Sequence, residues 1–236
     1  ITLDKNIKQN FEIEEDLVTT EEFTVVGERE DKNTNEAVMS TVELDVEKVK
    51  SLPAIFGEVD VLKTIQLLPG VQSAGEGNAG FYVRGGGPDQ NLILLDGATI
   101  YNASHLFGFF SVFNADAIKD VKLVKGGMPA EYGGRLSSVL DITMNDGNFK
   151  EYQVDGGIGL ISAKLTVQGP IKKDTASFIV SGRRTYIGEL AQPFVSDSSA
   201  FKGSNYYFYD LNAKLNYKIS ERDRLYLSGY FGRDVF

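Results

Sequence analysis

The sequence predicts an α+β unit followed by antiparallel strands of a transmembrane β-barrel, a truncated barrel with too few strands to close. Three observations predict it. Residues 207–219 alternate: Tyr207, Tyr209, Leu211, Ala213, Leu215, Tyr217 and Ile219 share one parity, and Asp210, Asn212, Lys214, Asn216 and Lys218 share the other. Such a strand is apolar on one face and polar on the other, and tyrosines near both ends suit an aromatic girdle. Residues 57–68 instead place Val59, Leu62, Ile65 and Leu68 three apart, which predicts a helix. Between these segments, glycines punctuate short apolar runs, as in strands joined by tight turns.

Composition narrows the class. The chain has 236 residues, with 25 Gly, 11 Tyr, 15 Phe, no Cys, no Trp and a net charge of −9. Without cysteine there is no disulfide scaffold and no thiolate metal site. The negative charge argues against non-specific nucleic-acid binding. No run of 18 apolar residues occurs, so no transmembrane helix is predicted, while spanning by strands stays open. Ile1 opens neither a signal peptide nor a chain with a starting Met, so a longer precursor is expected.

Residues 1–16 are polar with one candidate strand, Phe11 to Ile13. Residues 17–36 read as a linker, because Glu28 to Glu36 is almost wholly polar. Inside it, Phe23-Thr24-Val25-Val26 is short and β-prone. It fits an edge strand of a preceding domain or a segment that adds itself to a partner's sheet, and β-propensity does not choose between them.

Pro69-Gly70 ends the predicted helix. Phe81-Tyr82-Val83 then leads into Gly85-Gly86-Gly87, and Asn91 to Leu95 follows as another strand. A phosphate loop would open a helix and end in Gly-Lys-Ser/Thr, and neither feature is present. The glycines are therefore read as a tight loop between strands, with a second turn at Asp96-Gly97. Asn114 is placed to cap a short helical turn through Ile118. Lys119–Lys125 and Ser137–Met144 read as further strands.

After residue 149 five antiparallel strands are predicted. Apolar parity flips between residues 152 and 167, so two strands are read there, about 149–156 and 160–168, with the turn assigned to Gly156, Gly157 and Gly159. Phe178, Val180 and Tyr186 oppose Ser177, Ser181 and Arg183, while Ile179 and Arg184 break the pattern. Connections near 169–174 and 220–223 are short, and 187–204 is long, as in outer-membrane barrels. A soluble β-sandwich also alternates and is the competing architecture. The smallest natural membrane barrels need about eight strands. The expectation is that the chain continues past Phe236 or pairs with another chain.

The motifs "TVVGE", "PAIFGEVDVLKTIQLLPGV", "FYVRGGGPDQNLILLDG" and "IKDVKLVKGGMPAEYGGRLSSVLDI", in this order and followed by tyrosine-rich strands, resemble a TonB-dependent outer-membrane receptor of the Bacteroidota type. The resemblance runs from about residue 20 to the end. It implies that residues 1–16 end a carboxypeptidase-regulatory-like β domain and that 17–36 carry the TonB box. It implies a plug over 37–145 and, over 149–236, the first strands of a barrel whose lumen the plug fills; such barrels have about 22 strands. Glu22, Phe23, Thr24, Val25, Val26 and Gly27 would bind the C-terminal domain of TonB by strand addition. Pro88, Asp89 and Gln90 on one plug apex, and Tyr101, Asn102, His105, Phe107 and Phe109 on another, would touch the ligand. Arg84 would pair with barrel carboxylates, and Glu131 and Arg135 would hold the last plug loop.

The implied activity is active import of a scarce nutrient across the outer membrane, with plug and N-terminus on the periplasmic side. Implied partners are TonB, outer-membrane lipids, a small-molecule, glycan or peptide ligand, and a lipoprotein lid. The competing function is a structural docking subunit of a larger outer-membrane complex. No Ser-His-Asp set, metal cluster or spaced carboxylate pair asks for catalysis, so no enzyme, cofactor or metal is expected. A lone His105 without a second His or Cys nearby is ordinarily a packed or solvated residue.

Overall fold

The computed structural model describes residues 40–50, 58–75, 78–194 and 205–236. The segments 1–16 and 17–36, with the TonB-box candidates, lie outside the described residues. The chain opens with β1 (Thr41–Asp45) and α1 (Val46–Lys50), then α2 (Val61–Ile65), β2 (Val71–Ser73) and β3 (Phe81–Val83). Next come β4 (Asn91–Leu95), β5 (Ala98–Thr99), β6 (Ser104–His105), β7 (Phe110–Ser111), β8 (Ile118–Val124) and β9 (Ser138–Met144). Five longer strands follow: β10 (Gln153–Ile158), β11 (Ser162–Lys172), β12 (Ala176–Thr185), β13 (Tyr207–Lys218) and β14 (Arg224–Val235), with α3 (Ile187–Ala191) between β12 and β13.

The first part is the α+β unit. Its five-stranded sheet runs β1-β8-β9-β4-β5, with β4 and β9 parallel and the other pairs antiparallel. Val61, Leu62 and Ile65 of α2 pack with Phe81, Val121, Leu123, Leu140 and Ile142 in its core. The helix is shorter than the periodicity of residues 57–68 suggests. Asp60 is its N-cap, accepting from the amides of Leu62 and Lys63 at 2.9 and 3.1 Å, which fixes its start. At its end the Gln66 side chain donates to the carbonyls of Asn78 and Gly80, and the chain turns toward Pro69 and Gly70.

The glycine run is a turn between strands of different sheets. β3 pairs with β2, whereas β4 pairs with β5 and β9. Gly85 has φ 89°, and a side chain on Gly86 would collide with Ser137. Asp96 and Gly97, at φ 48° and 80°, form the β4–β5 turn. Asn114 does not start a helix. Its Oδ1 accepts from the Asp116 amide at 3.1 Å, making a turn that leads straight into β8.

The second part is a sheet of β10 to β14 in sequential antiparallel order, the wall. It is an open sheet of five strands, and among the described residues no sheet closes into a barrel. Gly156 and Gly157 lie within β10, opposite Leu165 and Lys164, and the reversal occurs at Gly159 to Ile161. Glycine there marks close strand approach rather than the turn. The β11–β12 and β13–β14 turns lie at one end, and the β12–β13 connection with α3 lies at the other.

The wall is inverted relative to a soluble sheet. Asp210, Asn212, Lys214 and Asn216 of β13 are buried, as are Ser177, Ser181, Arg183 and Thr185 of β12. Their neighbours Leu211, Leu215 and Tyr217 are exposed by 46%, 43% and 47%. A β-sandwich buries the apolar face instead. The buried polar face packs on the α+β unit: Asn114 donates to Ser181, and Lys214 reaches the Met144 carbonyl at 2.9 Å and Asp146 at 3.0 Å. Ile179, out of place in the sequence pattern, points to this inner side and is fully buried, while Arg184 faces outward. Among the described residues no helix is long and apolar enough to cross a membrane.

Gly147 joins the two parts. It has φ 78°, and a Cβ on it would stand 2.4 Å from the Phe178 carbonyl oxygen. Gly147→Ala is expected to cost about 2 kcal/mol or more, since the left-handed backbone alone costs roughly 1–2 kcal/mol with a side chain. Denaturant unfolding of the full-length protein checks this; an unchanged midpoint would remove Gly147 from the joint.

Candidate functional site

Two cavities open at the wall end that carries the long connection. One, of about 250 Å³, is lined by Leu62, Asn78, Pro88, Asp89, Tyr101 and Ser104 among others. The other, of about 350 Å³, is lined by Asn102, Ser104, Leu106, Phe107, Asp234 and Phe236. The turn at Pro88 to Gln90 and the loop from Tyr101 to Phe110 therefore meet around shared space, with Ser104 on both cavities. Tyr101 and Phe107 are 87% and 88% exposed. Phe107 reaches the Phe236 ring at 5.2 Å. Phe109 instead packs edge-on against Phe110 under the Lys63 ammonium, and the Gln90 carbonyl accepts from the amides of Leu136 and Ser137.

His105 is not at a cavity surface. Only 3% of it is exposed, and it joins an ionic cluster between the α+β unit and the wall. Its Nε2 lies 2.6 Å from Asp210 Oδ1 and its Nδ1 2.8 Å from Asp234 Oδ2. Its ring stacks on Phe208, centroids 4.2 Å apart. Burial works against the charged imidazole, but the hydrogen bonds and charges of Asp210 and Asp234 outweigh it and raise its pKa.

Arg183 completes the cluster from β12. It donates to Asp210 Oδ2 from Nε at 2.9 Å and from the guanidinium terminus at 2.5 Å, and to the Ser111 carbonyl at 2.7 Å. It also lies 3.6 Å from Glu58, which accepts from Ser162. Asp60 accepts from the Ser111 amide at 2.7 Å, so the helix cap also ties down β7. Tyr230 donates to Asp210 at 2.8 Å, and Tyr206 to Asp234. Burial and the Asp234 carboxylate push the Tyr206 phenol up. Among the described residues, no group of His, Asp and Glu is arranged to hold a metal.

The lock residues read from the sequence lie elsewhere. Arg84, at φ 49°, donates to Ser40 Oγ at 2.7 Å, within the α+β unit. Glu131 is exposed and Arg135 half-buried. The loop between them is held by Tyr132, whose hydroxyl donates to Asp141 at 2.9 Å and whose ring packs on Leu92, Leu94, Val124 and Val139. Burial and the Asp141 carboxylate push the Tyr132 phenol up to about 12. Sequence reasoning missed Glu58, Asp60, Arg183, Asp210, Asp234 and Lys214. One signal was present: Asp210 and Lys214 are full charges on the polar parity of a strand whose other face is apolar.

The model of the family described as TonB-dependent Receptor Plug Domain matches residues 38–138. The chain carries a TonB-dependent receptor plug. The fold of plug and wall together is similar to the siderophore receptor PirA from Acinetobacter baumannii, with TM-score 0.60 and 18% identity over 84% of this chain and 32% of that one. It is also similar to the ferric yersiniabactin uptake receptor FyuA from Yersinia pestis, with TM-score 0.57 and 15% identity over 86% of this chain and 32% of that one. The copper transporter OprC gives TM-score 0.57 and 14% identity over 83% and 30%. The chain thus spans about a third of the length of these structures. The plug is the α+β unit, and the wall strands follow it as in these receptors. The cluster of Glu58 and His105 with Arg183, Asp210 and Asp234 is a contact between the plug and its wall.

Proposed function

We propose that this chain is the gating part of a TonB-dependent importer of the outer membrane. The observation that carries the reading is the inverted wall: a polar face packed on a TonB-dependent receptor plug, and an apolar face left for lipid. Substrate enters from the end with the long connection and meets Pro88, Asp89, Gln90, Tyr101, Asn102, Phe107 and Phe109. The periplasmic side holds the N-terminus, where Glu22 to Gly27 add as a strand to the C-terminal domain of TonB. TonB's pull then remodels the plug. The similar structures include siderophore receptors and a copper transporter, and the ligand here is taken as a scarce small molecule, glycan or peptide, with a lipoprotein lid as further partner. Transport rather than catalysis is the role.

A cysteine scan of residues 20–30 in the full-length receptor tests it. Thr24→Cys and its neighbours are expected to crosslink in cells to cysteines in TonB's C-terminal domain, most strongly within 22–27. A flat or empty crosslinking profile would overturn the reading.

A further inference from the structure

The loop that lines both cavities has an unusual backbone just after His105. Leu106, Phe107 and Gly108 follow one another at φ 48°, 54° and 104°. Two bulky residues in the left-handed region persist only where their surroundings hold them. The Ala79 amide holds the Gly108 carbonyl from within the plug, and a second hold comes from the wall. Asp234 accepts from the Leu106 amide at 3.3 Å as well as from His105.

The arrangement around the imidazole carries a second constraint. Each ring nitrogen faces a carboxylate oxygen. A neutral imidazole has one N–H and one lone pair, so it satisfies one carboxylate and turns a lone pair on the other. Only the imidazolium donates to both. The remaining groups do not replace that proton. Tyr230 lies 3.4 Å from Nε2 but gives its hydrogen bond to Asp210. Tyr206 donates to Asp234, and Arg183 to Asp210, with Glu58 behind Arg183 and Asp60 on the neighbouring Ser111 amide. Phe208 covers the ring face.

We propose that protonated His105 is a positioning residue, a proton-dependent clasp that holds the 106–108 turn against β13 and β14 and so sets how Phe107 and Asn102 face the cavities. The proposal rests on the reading of these cavities as ligand-facing. The clasp is a contact between plug and wall, so it couples the apex loop to two wall strands. The sign follows from the raised histidine: the stabilisation is fully present below the ordinary value of 6.5 and is lost as pH rises through the raised value. High pH releases the turn, and low pH fastens it.

The test uses the full-length receptor in outer membranes, with a nitroxide on Phe107→Cys and no ligand. As pH rises from below 6.5 through the raised value of the histidine, the line shape is expected to pass from an immobile to a mobile form. His105→Gln should be mobile throughout. Asp234→Asn, which removes one of the two charges favouring the imidazolium, should move the midpoint to lower pH. A wild-type line shape that does not change, or a transition with the same midpoint in His105→Gln, overturns the clasp. Should His105→Gln fail to fold, an unmoved midpoint in Asp234→Asn overturns it equally. The readout needs neither ligand nor TonB. Its failure leaves the crosslinking of residues 22–27 intact, and failure of that crosslinking leaves this transition intact.

Discussion

Proline at one of the two positions 25 and 26 is expected to cut import by the full-length receptor sharply. Strand addition depends on backbone hydrogen bonds, and proline has no N–H to give. Along a strand at a sheet edge, alternate residues turn their amides toward the partner. In the proposed pairing one of the neighbours Val25 and Val26 would turn its N–H to TonB, and Val25→Pro with Val26→Pro covers both cases. A ladder bond is worth roughly 1 kcal/mol net, and leaving its buried acceptor unpaired adds about 1–3 kcal/mol. Every 1.4 kcal/mol is about tenfold in affinity, so capture falls by roughly thirtyfold to several hundredfold. Val25→Ala and Val26→Ala keep the amides and should import nearly normally. Uptake at the wild-type rate by both proline variants would end the strand-addition mechanism.

Arg183→Met is expected to loosen the plug from its wall. The side chain is 3% exposed and holds Asp210, Glu58 and the Ser111 carbonyl together. Methionine fills much of the space but leaves two buried carboxylates short of their cation. Removing one partner of a buried ion pair typically costs about 3–5 kcal/mol. That corresponds to roughly a hundredfold to a few thousandfold more frequent opening. Hydrogen exchange at residues 105–111 in the full-length receptor reads it. Arg184→Met is the control: its side chain is 60% exposed, pairs with Glu189 and lies over the Tyr207 ring, contacts on the outer surface that are worth little. Equal exchange in the two variants would mean that the cluster does not hold the plug.

Much of this fold was legible in the sequence, because its period is strong where burial is one-sided. The alternation over 207–219 appears as β13, Tyr207–Lys218, and its polar parity is the buried one. The tight turn after Val83 and the Asp96-Gly97 reversal were legible because glycine and aspartate tolerate positive φ. Asp96 does more than shape that turn, since it also accepts from the Met144 amide and lies 3.3 Å from Lys214. Where the reading missed, tertiary contacts outweighed local pattern. Periodicity over 57–68 did not show that Asp60 would cap the helix so late. Gly156 and Gly157 read as a turn, yet they pair across to β11.

The site was legible in part. The turn at 88–90 and the loop at 101–110 line one cavity together, and the sequence set them on two apices only through the family resemblance. The position of His105 did not. Its partners lie 105 and 129 residues away, and no local spacing encodes such a meeting. Alternation marks which side of β12 and β13 faces inward, but not which plug residue stands opposite Arg183 or Asp210.

The seam between plug and wall has a thermal consequence. Among the described residues two of the three apolar clusters lie chiefly inside the plug, the larger of them touching the wall through Tyr230, and the small one of Phe110, Ile161 and Phe208 bridges the two parts. Most of the seam consists of charges, amides and hydroxyls. Pulling the two parts apart would wet mainly polar surface, whose hydration lowers heat capacity while apolar hydration raises it. Detachment would therefore leave a small calorimetric trace, respond to salt more than to temperature, and leave both surfaces wettable enough to rejoin.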